Sequence, residues 1–352
     1  MWASYQVWVR SKSNALLAVL TQDDIISLRV KRVVNGVSSH EIVLASAALD
    51  KAGLFEVDGH IEVWRKPRGA GMYMEYEGFH RVGIYEQDQE GKETFTSRGV
   101  GYADILRRRI IAAPAGTSGS RKTGPAETVA KAYVYEQIVA PSIAERAISG
   151  FTIEPDLGRG STIDISRAWR GLLDVLQEIA AVGGGDFDVI GTETGFVFRW
   201  YPGQRGADRR SELTFSTEFG NMEAPQFTVE PAGANTCLVL GAGEGAGRGV
   251  LWVPSSTAYA GLDRIEIARD ARDTDSEDVM RSRGSAALEE LRGGTRLTFH
   301  VVQTASARYG VDYGLGDLVR VRYRDYVMDA KITGVTITLR DAEQIELEFQ
   351  NV

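Results

Sequence analysis

Residues 25–44 read IISLRVKRVVNGVSSHEIVL, and this stretch decides the fold class. Ile26, Leu28 and Val30 alternate with Ser27, Arg29 and Lys31, the period of two expected of a strand with one buried face. Asn35-Gly36 breaks the run with residues that accept tight-turn backbone. His40-Glu-Ile-Val-Leu44 then resumes it. Working outward, His60-Ile-Glu-Val-Trp64 and Phe79-His-Arg-Val-Gly-Ile-Tyr85 are further β-branched or aromatic runs. Asp58-Gly59 and Gly69-Ala-Gly71 separate them, and Glu90-Gly91-Lys92 reads as a hairpin tip. Many strands, tight turns and no intervening helices predict an antiparallel sheet or barrel rather than a βαβ fold.

The middle of the chain changes character. A short helix is expected within Gly101–Ile110, and another over Ala126–Ile148, interrupted at Pro141 because proline cannot continue the hydrogen-bond ladder. The strongest helical pattern covers 167–182. Ala168, Leu172, Leu173, Leu176, Ile179 and Ala180 form one apolar stripe, with Ser166 as N-cap and Gly183-Gly184-Gly185 as the stop. Asp186–Ile190 and Gly195–Tyr201 read as a strand pair across Gly191-Thr-Glu-Thr.

The last third returns to strands, at Thr236–Leu240, Arg264–Ala268, Arg296–Gln303, Leu318–Tyr323 and Tyr326–Leu339, the last bent or split near Gly334. Ile345, Leu347 and Phe349 alternate with polar residues to finish the chain. One helix interrupts, from about Ser276 to Leu291, with Glu277 and Asp278 in a first turn that favours acids. The expected division is a β-barrel domain over 1–104, an α+β middle over 105–234, and a second β-barrel domain over 235–352 carrying a helix at 276–292. The fold class is mainly β with an α+β insertion: two tube-like antiparallel barrel units and a smaller helix-containing region.

Length agrees with two or three domains in 352 residues. At 43% hydrophobic and 25% charged the composition is that of a globular chain, not a disordered one. The run Ala15–Leu20 is far shorter than the roughly 18 residues a membrane span needs, so neither span nor signal peptide is expected. Cys237 is the single cysteine, which excludes an internal disulfide and fits synthesis in a reducing cytoplasm. The net charge of −8 is spread evenly, with 12 basic against 14 acidic residues over 1–104, 14 against 16 over 105–234 and 14 against 18 over 235–352. Phosphate neutralisation supplies most nucleic-acid affinity, so a chain with no basic segment is a poor candidate for a dedicated nucleic-acid binder.

Chemical motifs are sparse. Gly241-Ala-Gly-Glu-Gly-Ala246 matches a dinucleotide-binding pattern, but Arg248-Gly-Val-Leu-Trp-Val253 follows as a strand, leaving no helix N-terminus for a pyrophosphate. A glycine-rich connection between two strands is expected there. Gly116–Gly124 has the lysine and threonine of a phosphate loop with Arg121 where the second glycine belongs, and after Pro114 it reads as a surface loop. With Arg107, Arg108 and Arg109 it makes a basic cluster that is either a solvated helix face or a contact for an acidic neighbour. His40, His60, His80 and His300 lack metal-ligand spacing. Asp186 with Asp188, or Glu289 with Glu290, could be imagined in glycoside cleavage, but solvated surface is the simpler reading. Trp2, Trp8, Trp64, Trp169, Trp200 and Trp252 fit core or subunit packing. No catalytic, cofactor-binding or metal residue is assigned, and no cofactor is expected.

Three segments carry a resemblance. They are VWVRSKSNALLAVLTQDDIISLRVKRVVNGVSSHEIVLAS (7–46), NTCLVLGAGEGAGRGVLWV (235–253) and DYGLGDLVRVRYRDYVMDAKITGVTITL (312–339), the last with Tyr-x-Leu-Gly-Asp-x-Val at Tyr313–Val319 ahead of a strand, a turn and a second strand. Together they resemble the tail-hub, or baseplate hub, proteins of siphophages, which are related to the hubs of contractile tails and to type VI secretion spikes. The resemblance implies a non-enzymatic virion protein of the tail tip, made in the bacterial host cytoplasm. It implies a homotrimer whose two barrel-like units per chain make a pseudo-hexameric ring that joins the tail tube to the tip. Implied partners are the distal tail protein, the tape-measure C-terminus and tail-fibre or receptor-binding proteins, with DNA only in transit. The competing readings are a glycan-binding adhesin and a cell-wall hydrolase.

Overall fold

The structure is a computed structural model that describes residues 3–112, 116–117 and 119–352. Trp2, Pro114 and Ser118 lie outside the described residues. Contacts divide the chain into two compact units, one of residues 1–225 with 298–352 and a smaller one of 226–297.

The larger unit begins with seven strands: β1 (Ala3–Arg10), β2 (Leu16–Leu20), β3 (Ile25–Val33), β4 (Ser39–Leu44), β5 (His60–Pro67), β6 (Tyr73–Gln87) and β7 (Glu93–Gly101). β3 and β4 pair antiparallel around Asn35, which takes a φ of 56°. Leu28 and Val30 are buried as the alternation predicts, but Ile26 is exposed. A register shift between Ile25 and Ser27 turns it to the other face. The β6–β7 hairpin turns at residues 88–92, as expected.

The helical region follows, with α1 (Asp104–Arg107), β8 (Ser120–Pro125), α2 (Ala126–Val134), β9 (Phe151–Ile153), β10 (Thr162–Arg167), α3 (Leu172–Gly183), β11 (Gly185–Thr192) and β12 (Gly195–Pro202). α2 runs into a π-helical turn at Tyr135–Val139 and stops ahead of Pro141. α3 buries Leu172, Leu173, Leu176, Ile179 and Ala180 as the stripe requires, but it starts at Leu172 rather than 167. Ser166 is no N-cap, because it belongs to β10 and pairs with Arg121 of β8, and Trp169 at φ 59° cannot lie in a right-handed helix. For the same reason Ser120–Gly124, expected as loop, is strand. β11 and β12 pair across a two-residue turn.

β13 (Thr214–Ser216) precedes β14 (Met222–Glu230), along which the chain passes into the smaller unit. That unit holds β15 (Thr236–Leu240), β16 (Val250–Val253), β17 (Glu266–Asp270) and α4 (Glu277–Glu290). Its sheet runs β16-β15-β17, the glycine-rich segment 241–249 joins β15 to β16, and α4 buries Met280 and Ala287 against Cys237, Val239 and Val253. The chain returns along β18 (Gly294–Val301) and ends with β19 (Leu318–Tyr323), β20 (Tyr326–Leu339) and β21 (Glu343–Asn351). The register of β20 on β21 shifts between Ile332 and Gly334, the expected break.

The first seven and the last four strands share one dominant sheet. Its strands run β18-β21-β20-β3-β4-β7-β6-β5-β1-β2, each neighbouring pair of this run antiparallel, with β19 antiparallel beside β20 and β13 parallel beside β19. The expected boundaries at 104/105 and 234/235 fall within α1 and between β14 and β15, whereas the compact units divide at 225/226 and 297/298. Phe79 and Tyr102 of the first strand set share a core with Leu106, Val129, Tyr133, Leu176 and Trp200 of the helical region. The last four strands join the sheet of the first seven through β20 and β3. A run of residues with one periodicity marks an element, but a unit is marked by which elements share a core.

Candidate assembly and docking surfaces

The junction between the early and late strands is closed by buried charge. On β5 the inward positions are Ile61, Val63 and Arg65, so a guanidinium stands in phase with two aliphatic side chains. Arg65 and Glu343 form an ion pair at 2.8 Å with both side chains essentially out of solvent. Arg65 also donates to the Tyr309 carbonyl at 2.7 Å and to Tyr73 Oη at 3.2 Å, while Tyr5 donates to Glu343. Tyr73 and Tyr309 donate to Glu75 at 2.6 and 2.7 Å, and Arg32 pairs with Glu75 at 3.2 Å. Charges taken out of water persist only when partnered this fully. Burial, with the neighbouring carboxylate of Glu343, pushes the Tyr5 hydroxyl well above its ordinary pKa.

A second set of contacts fixes the α+β elements on the sheet. Asn35 was legible as a turn residue, but its docking was not. Its amide donates to Asp186 Oδ1 at 2.9 Å, its side-chain oxygen accepts from the Phe187 N–H at 2.7 Å, and its carbonyl accepts from Gln177 at 2.8 Å. Asp186 is fully buried and pairs with Lys331 at 2.6 Å. Asp188 pairs with Arg205, Glu289 with Arg292 and Glu290 with Arg269, so each carboxylate considered for glycoside cleavage is engaged by a cation. Asp317 of the Gly-Asp motif is a tie: Oδ1 accepts from Ala207 N–H at 2.7 Å and Oδ2 from Gly314 N–H at 2.8 Å. Gly316 at φ 92° makes the turn, and a Cβ on the facing Gly206 would lie 2.2 Å from Asp317 N.

Three of the four histidines serve the interior. His40 reaches Tyr76 Oη at 3.0 Å and Ser97 Oγ at 3.2 Å, His80 shares that Ser97 at 2.7 Å, and His60 meets Tyr102 Oη at 2.7 Å. Burial lowers the pKa of all three, that of His40 to about 3 with help from His80. His300 is exposed. Among the described residues no cluster of three metal-ligating side chains occurs, and no helix is long and apolar enough to cross a membrane. Cys237 is buried. Trp8 packs on Trp64 at 5.1 Å and Trp200 is in the core, whereas Trp169 is largely exposed.

Two surface features remain. The sheet ends at β2, whose only neighbour among the described residues is β1, and its sequence is LLAVL with Leu16, Leu17 and Val19 at 48%, 38% and 38% exposure. An apolar edge strand in water is a template for pairing with another chain. The second feature is a cleft of about 1110 Å³ lined by the β1–β2 turn, β5, β6, α1 and the β11–β12 turn. The Asn14 amide approaches the carbonyls of Thr192 and Glu193 at 3.5 and 3.4 Å. On its floor Phe196 packs edge-on to Tyr102 at 4.9 Å and to Phe79 at 5.7 Å. Glu62 and Glu77 sit opposite each other on β5 and β6, Glu62 paired with Arg10 at 2.6 Å and Glu77 accepting from Gly191 N–H at 3.0 Å. Burial, aided by Asp188 and Glu62, raises the Glu77 pKa to about 7.

The same architecture recurs in solved structures. The tail protein from Neisseria meningitidis MC58 is 17% identical, with a TM-score of 0.57 over 99% of this chain and 96% of that one. The 43 kDa tail protein of prophage MuSo2 from Shewanella oneidensis is 10% identical, with a TM-score of 0.59 over 99% and 97%. A chain of the lidded PdpA–VgrG complex of Francisella is 8% identical, with a TM-score of 0.56 over 99% of this chain and 52% of that one. At these identities the likeness is one of fold. Among curated proteins none matches significantly. The sequence itself matches the family of Siphovirus ReqiPepy6 Gp37-like proteins over residues 6–349. The fold is shared with phage tail proteins, and with nearly its whole length inside that match the chain belongs to the Siphovirus ReqiPepy6 Gp37-like family.

Proposed function

We propose that the protein is a structural hub subunit that trimerises into a pseudo-hexameric ring, joins the tail tube to the tip and leaves a passage for the genome. One observation carries this reading: the early strands and the late strands are spliced side by side through β3 and β20 into a single sheet that stops at the exposed apolar edge β2. In the ring, residues 1–104 supply one element and the strands of 298–352 a second, so three chains give six. Pairing or packing at β2 with the next copy removes the open edge, which is what closed rotational symmetry achieves. The distal tail protein and the tape-measure C-terminus take the two ends of the passage, and receptor-binding proteins the periphery.

The reading assigns no catalytic, metal or cofactor residue and places the protein in the virion. Release of fragments from purified peptidoglycan would instead make it a cell-wall hydrolase, and binding to host glycans an adhesin. The decisive measurement is mass in solution, by light scattering or native mass spectrometry, of the protein alone and with its neighbouring tail proteins. A trimer is expected, and Leu17→Lys with Val19→Lys should reduce it to monomers of unchanged fold. A monomer that stays a monomer beside its tail partners overturns the ring.

A further inference from the structure

The arginine run at 107–109, together with Arg146 and Lys12, leaves positive charge without a counter-charge: Arg108, Arg109 and Lys12 line the cleft, and Arg146 stands beside it through its contact with Arg109. Asp104 is shared by Arg107 and Arg108, and Asp58 by Arg81 and Arg108, at 2.5–2.7 Å. The acids are then spent. Arg109 donates Nε and Nη2 to the Arg146 carbonyl at 3.2 and 3.0 Å and Nη1 to the Arg108 carbonyl at 3.1 Å, and Arg146 donates to the Ile110 carbonyl at 2.7 Å. These bonds aim and hold both guanidiniums but supply no negative charge. Among the described residues no carboxylate stands within ion-pair distance of Arg109, Arg146 or Lys12. Burial, with repulsion from Arg146 and Arg108, depresses the pKa of Arg109. Fixed, crowded cations beside a preformed recess make an anion-recognition site.

We propose that this cleft docks an extended acidic segment of a partner protein, its carboxylates on Arg109, Arg146 and Lys12 and an apolar side chain against Phe196. Nucleic acid fits less well, because Glu193 also lines the cleft and would repel a continuous phosphate chain. A peptide with spaced carboxylates and apolar residues between them meets each surface with its complement. Nothing in this depends on whether the chain forms a ring.

The test is fluorescence anisotropy on the full-length protein with a short labelled peptide of alternating glutamate and leucine. The arms are the same peptide with glutamine for glutamate, a single-stranded DNA oligonucleotide, and the variants Lys12→Glu and Arg146→Glu. Among the described residues the Lys12 side chain has no hydrogen-bond partner, so its reversal is expected to leave the fold intact. Each reversal is expected to weaken glutamate-peptide binding on the order of tenfold, more at low salt than at high. Equal binding of the glutamine peptide, tighter binding of the DNA, or no loss in Lys12→Glu would overturn the proposal. So would a change in the protein's own oligomeric mass in place of peptide binding, which would make the cleft a contact between copies.

Discussion

The dominant sheet and the smaller unit of residues 226–297 are stabilised in opposite ways. Inside the sheet Arg65, Glu75 and Glu343 are buried and connect residues 278 positions apart in sequence. The smaller unit has a core of Cys237, Val239, Val253, Ala271, Met280 and Ala287, mostly small side chains, and each ion pair among its described residues has a partner at the surface. The first arrangement depends on specific long-range partners and fails sharply when one is removed. The second rests on packing alone, buries little apolar area, and is the part expected to open first under native conditions.

The sharpest way to break this contrast is Arg65→Met. It leaves Glu343 buried without its cation and should cost about 3–5 kcal/mol in urea denaturation of the main transition, whereas Arg65→Met with Glu343→Leu should recover much of the loss. If the single change costs no more than a surface pair, the charge network does not hold the two strand sets together.

Acid should act on the same sheet and spare the smaller unit, which has no histidine within residues 226–297. Unfolded His40 takes a proton near 6.5, but the folded residue only near 3. Its contribution is therefore unchanged above pH 6.5 and turns destabilising as pH falls below that value, by about 2 kcal/mol at pH 5. His60 and His80, also lowered, act in the same direction. Glu77, raised to about 7, acts in the opposite direction, so the reading is the difference between proteins: from pH 7 to pH 5 the urea midpoint of His40→Gln should fall less, or rise more, than that of the native protein, and an identical pH dependence would place the titration elsewhere.

The smallest effect belongs to Gly284→Ala in α4. A Cβ there would stand 2.8 Å from the Cγ2 atoms of Val239 and Val253, and this crowding outweighs the helix-propensity gain, for a net loss on the order of 1 kcal/mol. Amide hydrogen exchange should show faster opening of β15 and α4 with the β3 and β4 amides unchanged. Faster exchange in both places would mean that the two units unfold together.

The legible part of the molecule was whatever repeats over a few residues. β15, β19 and β20 have the limits that alternation predicts, α4 begins after Ser276, and the Glu90-Gly91-Lys92 tip and the Gly334 break are where turn and glycine chemistry put them. The misreadings came where a distant partner overrode a local pattern. Ser166 looked like a cap until β8 claimed it as a strand residue, Ile26 kept the apolar period but was turned outward by a bulge, and Ser120–Gly124 looked like a loop until β10 paired with it. The cleft has no motif at all, because its walls come from residues near 12, 60, 77, 108 and 193. One signal was available for the buried network, since Arg65 stands in phase with Ile61 and Val63.

By itself, then, the order of residues determined that this is a strand-rich chain with a helical interlude, and three short segments were enough to suggest a tail hub. Tertiary structure alone decided that the first and last strands belong to one sheet, that Asn35 and Asp317 are ties as well as turn residues, and which arginines keep an unbalanced charge. Strand and helix are set by interactions within a few residues, which a linear pattern records. Sheet order, buried ion pairing and clefts depend on groups hundreds of positions apart, and those meet only when burying them together costs less than leaving each in water.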